Sequence, residues 1–248
     1  WLAGNGTASN EDGSINTTAT SVNTTAGISI STYTGNATSG ATIGHGLGVA
    51  PDVIIVKNRD AADAWQVYHS GVASDPATDY LVLNTTAASA DNVNRWNDTA
   101  PTSSVFSLGN AVEVNTNTED YVAYCFAGVD GFSNFGSYTG NGSTNGPFVW
   151  CGFRPAFVLV KEYTSADDWL VYDTSRDTYN VAGQVWRPDS SAAEFDGRGG
   201  SRDMDILSNG FKFRSSNATM NGSGAGYIFM AFAEHPFGGE DVAPATAR

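Results

Sequence analysis

Basic residues are scarce in this sequence, and that scarcity limits its possible partners. Only 12 Lys and Arg stand against 26 Asp and Glu, which gives a formal net charge of -14 at pH 7. Such a charge repels phosphate backbones and anionic lipid surfaces, and no cluster of basic residues forms a local exception. We therefore expect no binding to nucleic acid.

Long apolar runs are also missing. No run approaches the roughly 20 residues that a membrane-spanning helix needs, and the amino terminus lacks the basic-then-apolar pattern of a secretory signal. The sequence therefore predicts no membrane insertion.

A starting Met is absent too, because the sequence begins with Trp1 and a polar stretch. This start predicts a fragment or a processed product of a longer polypeptide.

Patterns that carry catalysis or bind metal are absent. The two cysteines, Cys125 and Cys151, lie in different strand-like runs, so buried free thiols are expected and not a disulfide. No Cys-x-x-Cys, His-Glu-x-x-His, Gly-x-Ser-x-Gly, phosphate-loop or calcium-loop pattern occurs, and GRGGSRD (197–203) is interpreted as a loop. The sequence predicts no catalytic residues, no metal site and no cofactor.

Paired acidic residues offer little support for a glycosidase. The densest pairs are Glu119 with Asp120 and Asp167 with Asp168. Adjacent residues in a strand point to opposite faces, so neither pair makes a two-carboxylate site by itself. Solvated loop charge is the preferred interpretation.

One phrase occurs twice in the chain. GLGVAPDVIIVK ends at Lys57, and CGFRPAFVLVK ends at Lys161, 104 positions later. Three further blocks recur in the same order at offsets of about 104 to 106: STYTGNATSG with SYTGNGSTNG, DAWQVYH with DDWLVYD, and YVAYCFAG with YIFMAFAE. This self-similarity predicts an internal duplication of a domain-sized unit.

The repeat sets the predicted domain boundaries. Residues 1–26 have no match in the second copy and are interpreted as a linker or the end of a preceding domain. The two β modules are predicted at 27–129 and 130–239, followed by a tail at 240–248.

The recurring blocks have the composition of strands. VIIVK and FVLVK are runs of β-branched and aromatic residues that follow Pro51 and Pro155, and proline is tolerated where a strand begins. YVAYCFAG and YIFMAFAE are nearly continuous apolar runs, as expected of central strands. Turn residues recur between these runs, and no helical stripe lasts three turns. The sequence predicts an all-β fold of two tandem modules that resemble a β-sandwich or jelly roll.

The lysine that ends each repeated strand has two interpretations. Lys57 and Lys161 could be catalytic amines, but nothing nearby in sequence suggests a desolvated pocket. A structural role is preferred, in which the aliphatic stem lies along the sheet and the ammonium returns the chain to solvent.

The binding candidates lie where the two copies differ. NRWNDTAP (94–101) and QVWRPDSS (184–191) each place a Trp beside an Arg and follow it with an Asp. A Trp face can stack on a sugar ring, and the polar neighbours can bind its hydroxyl groups. The alternative is that both tryptophans close the ends of their sandwiches. The candidate glycan or receptor residues are Arg95, Trp96, Asp98, Trp186, Arg187 and Asp189.

Several phrases together resemble a family of phage proteins. NTTAGISISTYTGN, IGHGLGVAPDVIIVK, YVAYCFA, GFSNFGSYTGNGSTNGPFVWCGFRPAFVLVK, LSNGFKFR and YIFMAFAEHPF are similar to virion-associated or tail-fibre-like proteins of phages of aquatic bacteria, including cyanophages. The resemblance covers about residues 15–238. It implies a structural or host-recognition part of the virion and supplies no site residues.

The expected function is therefore that of a phage virion structural protein, specifically a tail-fibre or host-recognition adhesin without catalytic activity. Expected partners are other virion proteins and a host surface glycan, and a homo-oligomer is expected at the virion surface, a trimer by analogy. One alternative is a capsid decoration protein. Another is a secreted glycoprotein or surface filament subunit, which the nine Asn-x-Ser/Thr sequons would suit.

Overall fold

The chain folds into two units, each with its own core. In a computed structural model, residues 3–4, 6–72 and 75–233 are described. Unit 1 comprises residues 1–83 and 89–128, and unit 2 comprises residues 84–88 and 129–248. The short stretch 84–88 thus belongs to unit 2, although its neighbours in the chain belong to unit 1.

Unit 1 is built mainly from antiparallel strands. Its strands are β1 (Ala19–Asn23), β2 (Ile28–Thr34), β3 (Ala41–Gly44), β4 (Val53–Asn58), β5 (Gln66–His69), β6 (Asp79–Val82), β7 (Ala90–Asp91), β8 (Val105–Leu108) and β9 (Asp120–Phe126). Its two single-turn helices are α1 (Val93–Trp96) and α2 (Val112–Asn115). The larger sheet has the order β1-β2-β9-β4-β5-β6-β7, and β3 pairs with β8 in a second sheet.

Unit 2 repeats much of this arrangement. Its strands are β10 (Ser133–Thr139), β11 (Phe148–Trp150), β12 (Pro155–Glu162), β13 (Trp169–Asp173), β14 (Gln184–Val185), β15 (Phe195–Asp196), β16 (Met204–Leu207), β17 (Gly210–Phe213) and β18 (Gly226–Ala233), with one helix, α3 (Ala218–Asn221). The sheets have the orders β10-β18-β12-β13, β11-β17-β16 and β14-β15.

The prediction of an all-β, sandwich-like fold is confirmed. The run FVLVK lies in β12, which begins at Pro155 as predicted, and the run VIIVK lies in β4. The two apolar runs form β9 and β18, which are interior strands of their sheets. Seven of the eight residues of β18 are buried, because sheet neighbours flank it on both sides and side chains cover both faces.

The same set of buried contacts occurs in both units. Tyr33 stacks on Tyr121 with ring centroids 5.2 Å apart, and Tyr138 stacks on Tyr227 at 4.9 Å. The strand order β2-β9-β4-β5 in unit 1 matches β10-β18-β12-β13 in unit 2. The sequence repeat therefore corresponds to a repeated local packing, while its origin by duplication stays a prediction.

The predicted boundaries and the units differ at the amino terminus. Part of residues 1–26, interpreted from sequence as a linker or the end of a preceding domain, forms β1 in the large sheet of unit 1. Ile15 belongs to the core of the same unit. The predicted tail at 240–248 lies outside the described residues.

Candidate binding site

The unit 1 candidates are held by a single turn of helix. The side chain of Asn92 caps α1 by accepting a hydrogen bond from the backbone N–H of Asn94 at 3.0 Å. Asn97 ends the helix in the left-handed conformation, and Asp98, which is exposed, also has a positive φ of 45°. The local geometry turns Arg95 and Trp96 away from solvent.

Trp96 is a core residue. Its side chain is 2% exposed and belongs to the apolar cluster of unit 1. Its ring packs edge-on against Tyr68, with centroids 6.2 Å apart. Because neither ring face is accessible, Trp96 cannot stack on a sugar in this structure, and the prediction of a sugar platform at Trp96 is corrected.

Arg95 is also engaged within the protein. Its two terminal nitrogens contact the two carboxylate oxygens of Glu113 at 2.8 and 2.9 Å. The guanidinium carbon lies 4.8 Å from the centroid of the Tyr80 ring, which is a cation–π distance. Arg95, Trp96 and Asp98 therefore do not form a common binding surface.

The unit 2 candidates separate onto different faces. Trp186 is 43% exposed, and its backbone bridges to Val171 in an extended conformation. Side chains alternate along such a segment, so Arg187 points to the face opposite Trp186. The guanidinium of Arg187 forms an ion pair with Asp168 at 3.0 Å.

Asp189 has a separate environment. One carboxylate oxygen accepts a hydrogen bond from the backbone N–H of Trp169 at 3.2 Å. The other oxygen is buried and has no hydrogen-bond partner among the residues that the structure describes. Burial raises the pKa of Asp189, and the neighbouring Asp168 carboxylate adds to that effect.

A cleft of about 170 Å³ opens beside Arg187. Alternation along the strands explains two pairs of its lining residues, because Asp168 shares a face with Leu170, and Val185 shares a face with Arg187. Phe195 lies directly opposite Val185 in the β14-β15 pair and is 45% exposed. The complete lining consists of Asp168, Leu170, Val185, Arg187, Phe195 and Arg202.

Gly197 permits Phe195 and Arg202 to pack closely at one side of the cleft. A Cβ atom at Gly197 would lie 2.4 Å from Cβ of Arg202 and 3.0 Å from a ring carbon of Phe195. Both distances are too short for a side chain, so Arg202 and Phe195 share the space above the glycine. The Arg202 guanidinium donates to the hydroxyl of Thr219 at 3.0 Å and to the carbonyl of Ser201 at 2.8 Å.

The charges of the cleft favour an anion. Asp168 compensates Arg187, whereas the hydrogen bonds of Arg202 go to neutral oxygens, and among the described residues Arg202 takes part in no salt bridge. The cleft therefore carries a local excess of one positive charge on a chain of net charge -14. An apolar ring face, a guanidinium and a carboxylate together can bind a hydroxylated ring that carries an acidic group.

Comparison with known proteins identifies a family for the chain. Residues 1–236 match the model of a family described as a domain of unknown function, DUF7483. The chain belongs to this family. No curated protein matches it, and no solved structure matches it.

The remaining sequence predictions for this DUF7483 chain concern metals, thiols and membranes. Among the described residues, no group of three or more His, Cys, Asp and Glu side chains is placed to hold a metal ion. Cys125 and Cys151 are buried and free, as predicted. None of the helices in the described ranges has the length and hydropathy of a membrane span.

Lys161 departs from the expectation that it returns the chain to solvent. Its side chain is fully buried, and its ammonium donates to the carbonyls of Glu162 at 2.6 Å and of Thr86 at 3.3 Å. Thr86 belongs to the stretch 84–88 that unit 2 includes. Lys57 makes a similar local bond to the carbonyl of Asn58 at 2.5 Å but is only partly buried.

Burial of Lys161 predicts a specific dependence of stability on pH. Desolvation lowers the pKa of Lys161 to about 8, although nearby carboxylates oppose the shift. Between this value and the higher pKa of an unfolded lysine, the folded state binds fewer protons, so stability rises with pH. Relative to Lys161→Met, the wild type should gain about 2 kcal/mol between pH 7 and pH 10. Urea unfolding of both proteins across this range measures the difference, and parallel curves would contradict the prediction.

Of the six lining residues, only Arg187 was predicted from sequence as a site residue. Asp168 was considered only as part of an acidic pair, and Arg202 only as part of a Gly-rich loop. Phe195 is a lone aromatic between charged and small residues. The alternation of Asp168 and Leu170 was a usable signal for a shared face, but no local pattern connects Phe195 or Arg202 to that strand.

Proposed function

We propose that this chain is a non-catalytic structural protein of a phage virion that acts as a tail-fibre or host-recognition adhesin, and that the cleft of unit 2 binds an acidic glycan of the host surface. Its place on the particle and its contacts with other virion proteins are part of the proposal. The phage phrases in the sequence support the setting, and the cleft supports the binding role.

The residue composition of the cleft is the main observation in support of glycan binding. It combines an exposed Phe195 ring, the Arg187–Asp168 ion pair and Arg202, whose hydrogen bonds within the described residues go to neutral oxygens. Apolar C–H faces of a sugar ring can pack on the phenyl group, while hydroxyl groups bind between guanidinium and carboxylate. Arg202 supplies the charge that selects an acidic sugar from a neutral one.

The volume of the cleft limits the size of the ligand that it can bind. About 170 Å³ holds one sugar ring, with the remainder of a polysaccharide outside. Such a contact is weak by itself, so an adhesin would rely on several copies acting together. The proposal thus predicts weak binding by one chain and stronger binding by an assembly.

We expect two substitutions to separate the roles of ring and charge. Arg202→Gln should reduce binding to a uronic-acid polysaccharide such as polygalacturonate by about tenfold, because it removes a charge-assisted contact. Its affinity for a neutral polysaccharide such as dextran should stay at the wild-type level. Phe195→Ala should weaken both, because it removes the apolar face. Affinity electrophoresis or biolayer interferometry with immobilised polysaccharide measures both effects.

A matched control is Arg198→Gln. Arg198 lies in the same segment and is 46% exposed, but it pairs with Asp196 and Asp177 and is not among the residues that line the cleft. Unfolding curves establish that each variant is folded. Polysaccharide binding that is equal in wild type, Arg202→Gln and Phe195→Ala would reject the cleft, and the absence of any glycan affinity together with binding to a capsid lattice would favour the decoration alternative.

A further inference from the structure

In unit 1, one stretch of chain closes a side of the molecule. β1 pairs antiparallel with β2, from Ala19 opposite Thr32 to Asn23 opposite Ile28. Just upstream, the N–H of Ile15 donates to the carbonyl of Thr42 in β3 at 3.1 Å. Residues 15–23 therefore cover the edges of both sheets of unit 1.

The side chains of unit 1 are adapted to this cover. The hydroxyl of Thr20 contacts that of Ser31 at 2.9 Å. A Cβ atom at Gly44 would lie 1.7 Å from the amide oxygen of Asn10, so any side chain at this position would collide with Asn10, which precedes the covering segment. A glycine at the end of β3 is thus explained by what lies on it.

Unit 2 has the same two edges, and among its described residues, which end at 233, no segment covers them. β10 takes the place of β2 at the start of its sheet, and β11 takes the place of β3. In the register of the smaller sheets, Val149 opposite Phe211 matches Ile43 opposite Phe106. Within the described residues, no strand pairs with the outer edge of β10 or of β11.

Two large aromatic side chains occupy this uncovered side. Phe148 and Trp150 stand where unit 1 has Thr42 and Gly44, and they are 44% and 62% exposed. Neighbouring apolar groups of this size beside an open sheet edge are typical of protein–protein interfaces.

β10 carries none of the features that usually protect an edge strand. Its sequence, SNFGSYT, contains no charged residue and no proline, and its seven residues pair with β18 in an unbroken register. The N–H of Gly140 donates to the carbonyl of Ala225, so by alternation the even-numbered residues face β18. The backbone N–H and C=O of Ser137 therefore point to the open edge, as those of Thr32 point to β1.

We propose that β10 pairs with β10 of a second copy of this chain, antiparallel and across a twofold axis, and that Phe148 and Trp150 pack into the same interface. Antiparallel pairing centred on Gly136 places Ser137 opposite Phe135 and brings no charges together, which matters for chains of net charge -14. This arrangement displaces nothing from unit 1. The covering segment of another copy would have to leave its own unit, and Trp150 stands at the position where unit 1 has Gly44, on which Asn10 lies.

The test is the mass of the full 248-residue chain in solution. The wild type should have twice the chain mass of 26.0 kDa in light scattering coupled to size exclusion. Ser137→Pro removes an N–H that points outward and keeps the ladder to β18, so it should weaken the dimer by about tenfold or more. Trp150→Ser should weaken it as well. Ser137→Thr keeps the N–H and should remain dimeric.

The outcomes separate this proposal from others. Hydrogen exchange should show the Ser137 amide protected in the wild type and exposed in Trp150→Ser, which reports the interface without relying on the proline variant. A monomeric wild type up to about 0.1 mM, a trimer, or a dimer that both variants leave intact would overturn the proposal. Loss of polysaccharide binding in Trp150→Ser with an unchanged mass would also overturn it, because the aromatic surface would then serve a ligand.

Discussion

Trp96→Ala should destabilise unit 1 by about 3 to 5 kcal/mol, the range for removing a fully buried large aromatic side chain. Trp96 is 2% exposed and packs against Tyr68 in the core, so its removal leaves a cavity that the surrounding strands cannot fill. The loss should appear as a lower urea midpoint and as faster amide exchange in β5 and β8.

Trp186→Ala is the matched control for this experiment. Trp186 is 43% exposed, and we expect its removal to cost no more than about 1 kcal/mol. The stability loss of Trp96→Phe should fall between those of the two alanine variants, because a phenyl ring retains part of the packing. The indole N–H of Trp96 has no hydrogen-bond partner within the described part of the chain, so its removal breaks no such bond there. Equal stability of the two alanine variants would show that Trp96 is not a core residue.

Asn221→Leu is expected to have an effect of similar size in unit 2. The buried Asn221 amide accepts a hydrogen bond from the N–H of Asn141 at 2.8 Å and donates to the carbonyls of Ser143 and Ser215 at 2.8 Å each. A leucine of similar volume removes these partners and leaves buried polar groups unsatisfied. Each unsatisfied buried polar group costs about 1 to 3 kcal/mol of stability, and partial relaxation of the loop recovers some of that cost. The free energy of unfolding should therefore fall by about 3 to 5 kcal/mol.

Two further variants test whether the stability loss comes from the hydrogen bonds of the buried amide. Asn145 is exposed in the same loop region, and Asn145→Ala should change stability by less than about 0.5 kcal/mol. Asn115 makes the equivalent bonds in unit 1, to the N–H of Asn36 and the carbonyls of Thr38 and Gly109, so Asn115→Leu should destabilise that unit to a similar extent. A small effect for both leucine variants would show that the loops find other partners.

The equivalence of Asn115 and Asn221 explains why the turn phrase occurs twice. In each unit the amide ties the loop after the first repeated strand to the short helix before the last repeated strand. The phrases STYTGN and GSYTGN supply the loop, and the stacked tyrosines beside it hold the helix carbonyls. The residues that recur in both copies are thus those that pack and hydrogen-bond the loop against the helix. The binding candidates lie where the two copies differ in sequence.

The candidate site was only partly accessible to sequence reasoning. Proximity of Trp, Arg and Asp in the chain suggested two equivalent surfaces, but a single helical turn buries Trp96, whereas an extended segment leaves Trp186 exposed and directs Arg187 to the opposite face. Backbone conformation over three residues therefore decided which side chains can meet a ligand. The ring that faces the cleft is Phe195, which comes from another strand.

The sequence by itself determined the strand runs and the all-β class, because alternation, β-branched composition and proline position act locally along the chain. Tertiary structure alone decided that Lys161 is buried and bonds to Thr86, and that Arg202 and Phe195 meet over Gly197. It also decided that residues 15–23 cover unit 1, whereas no described segment does the same in unit 2. Each of these depends on contacts between residues far apart in sequence, and the free energy of such contacts is set by shape and desolvation, which local patterns do not encode.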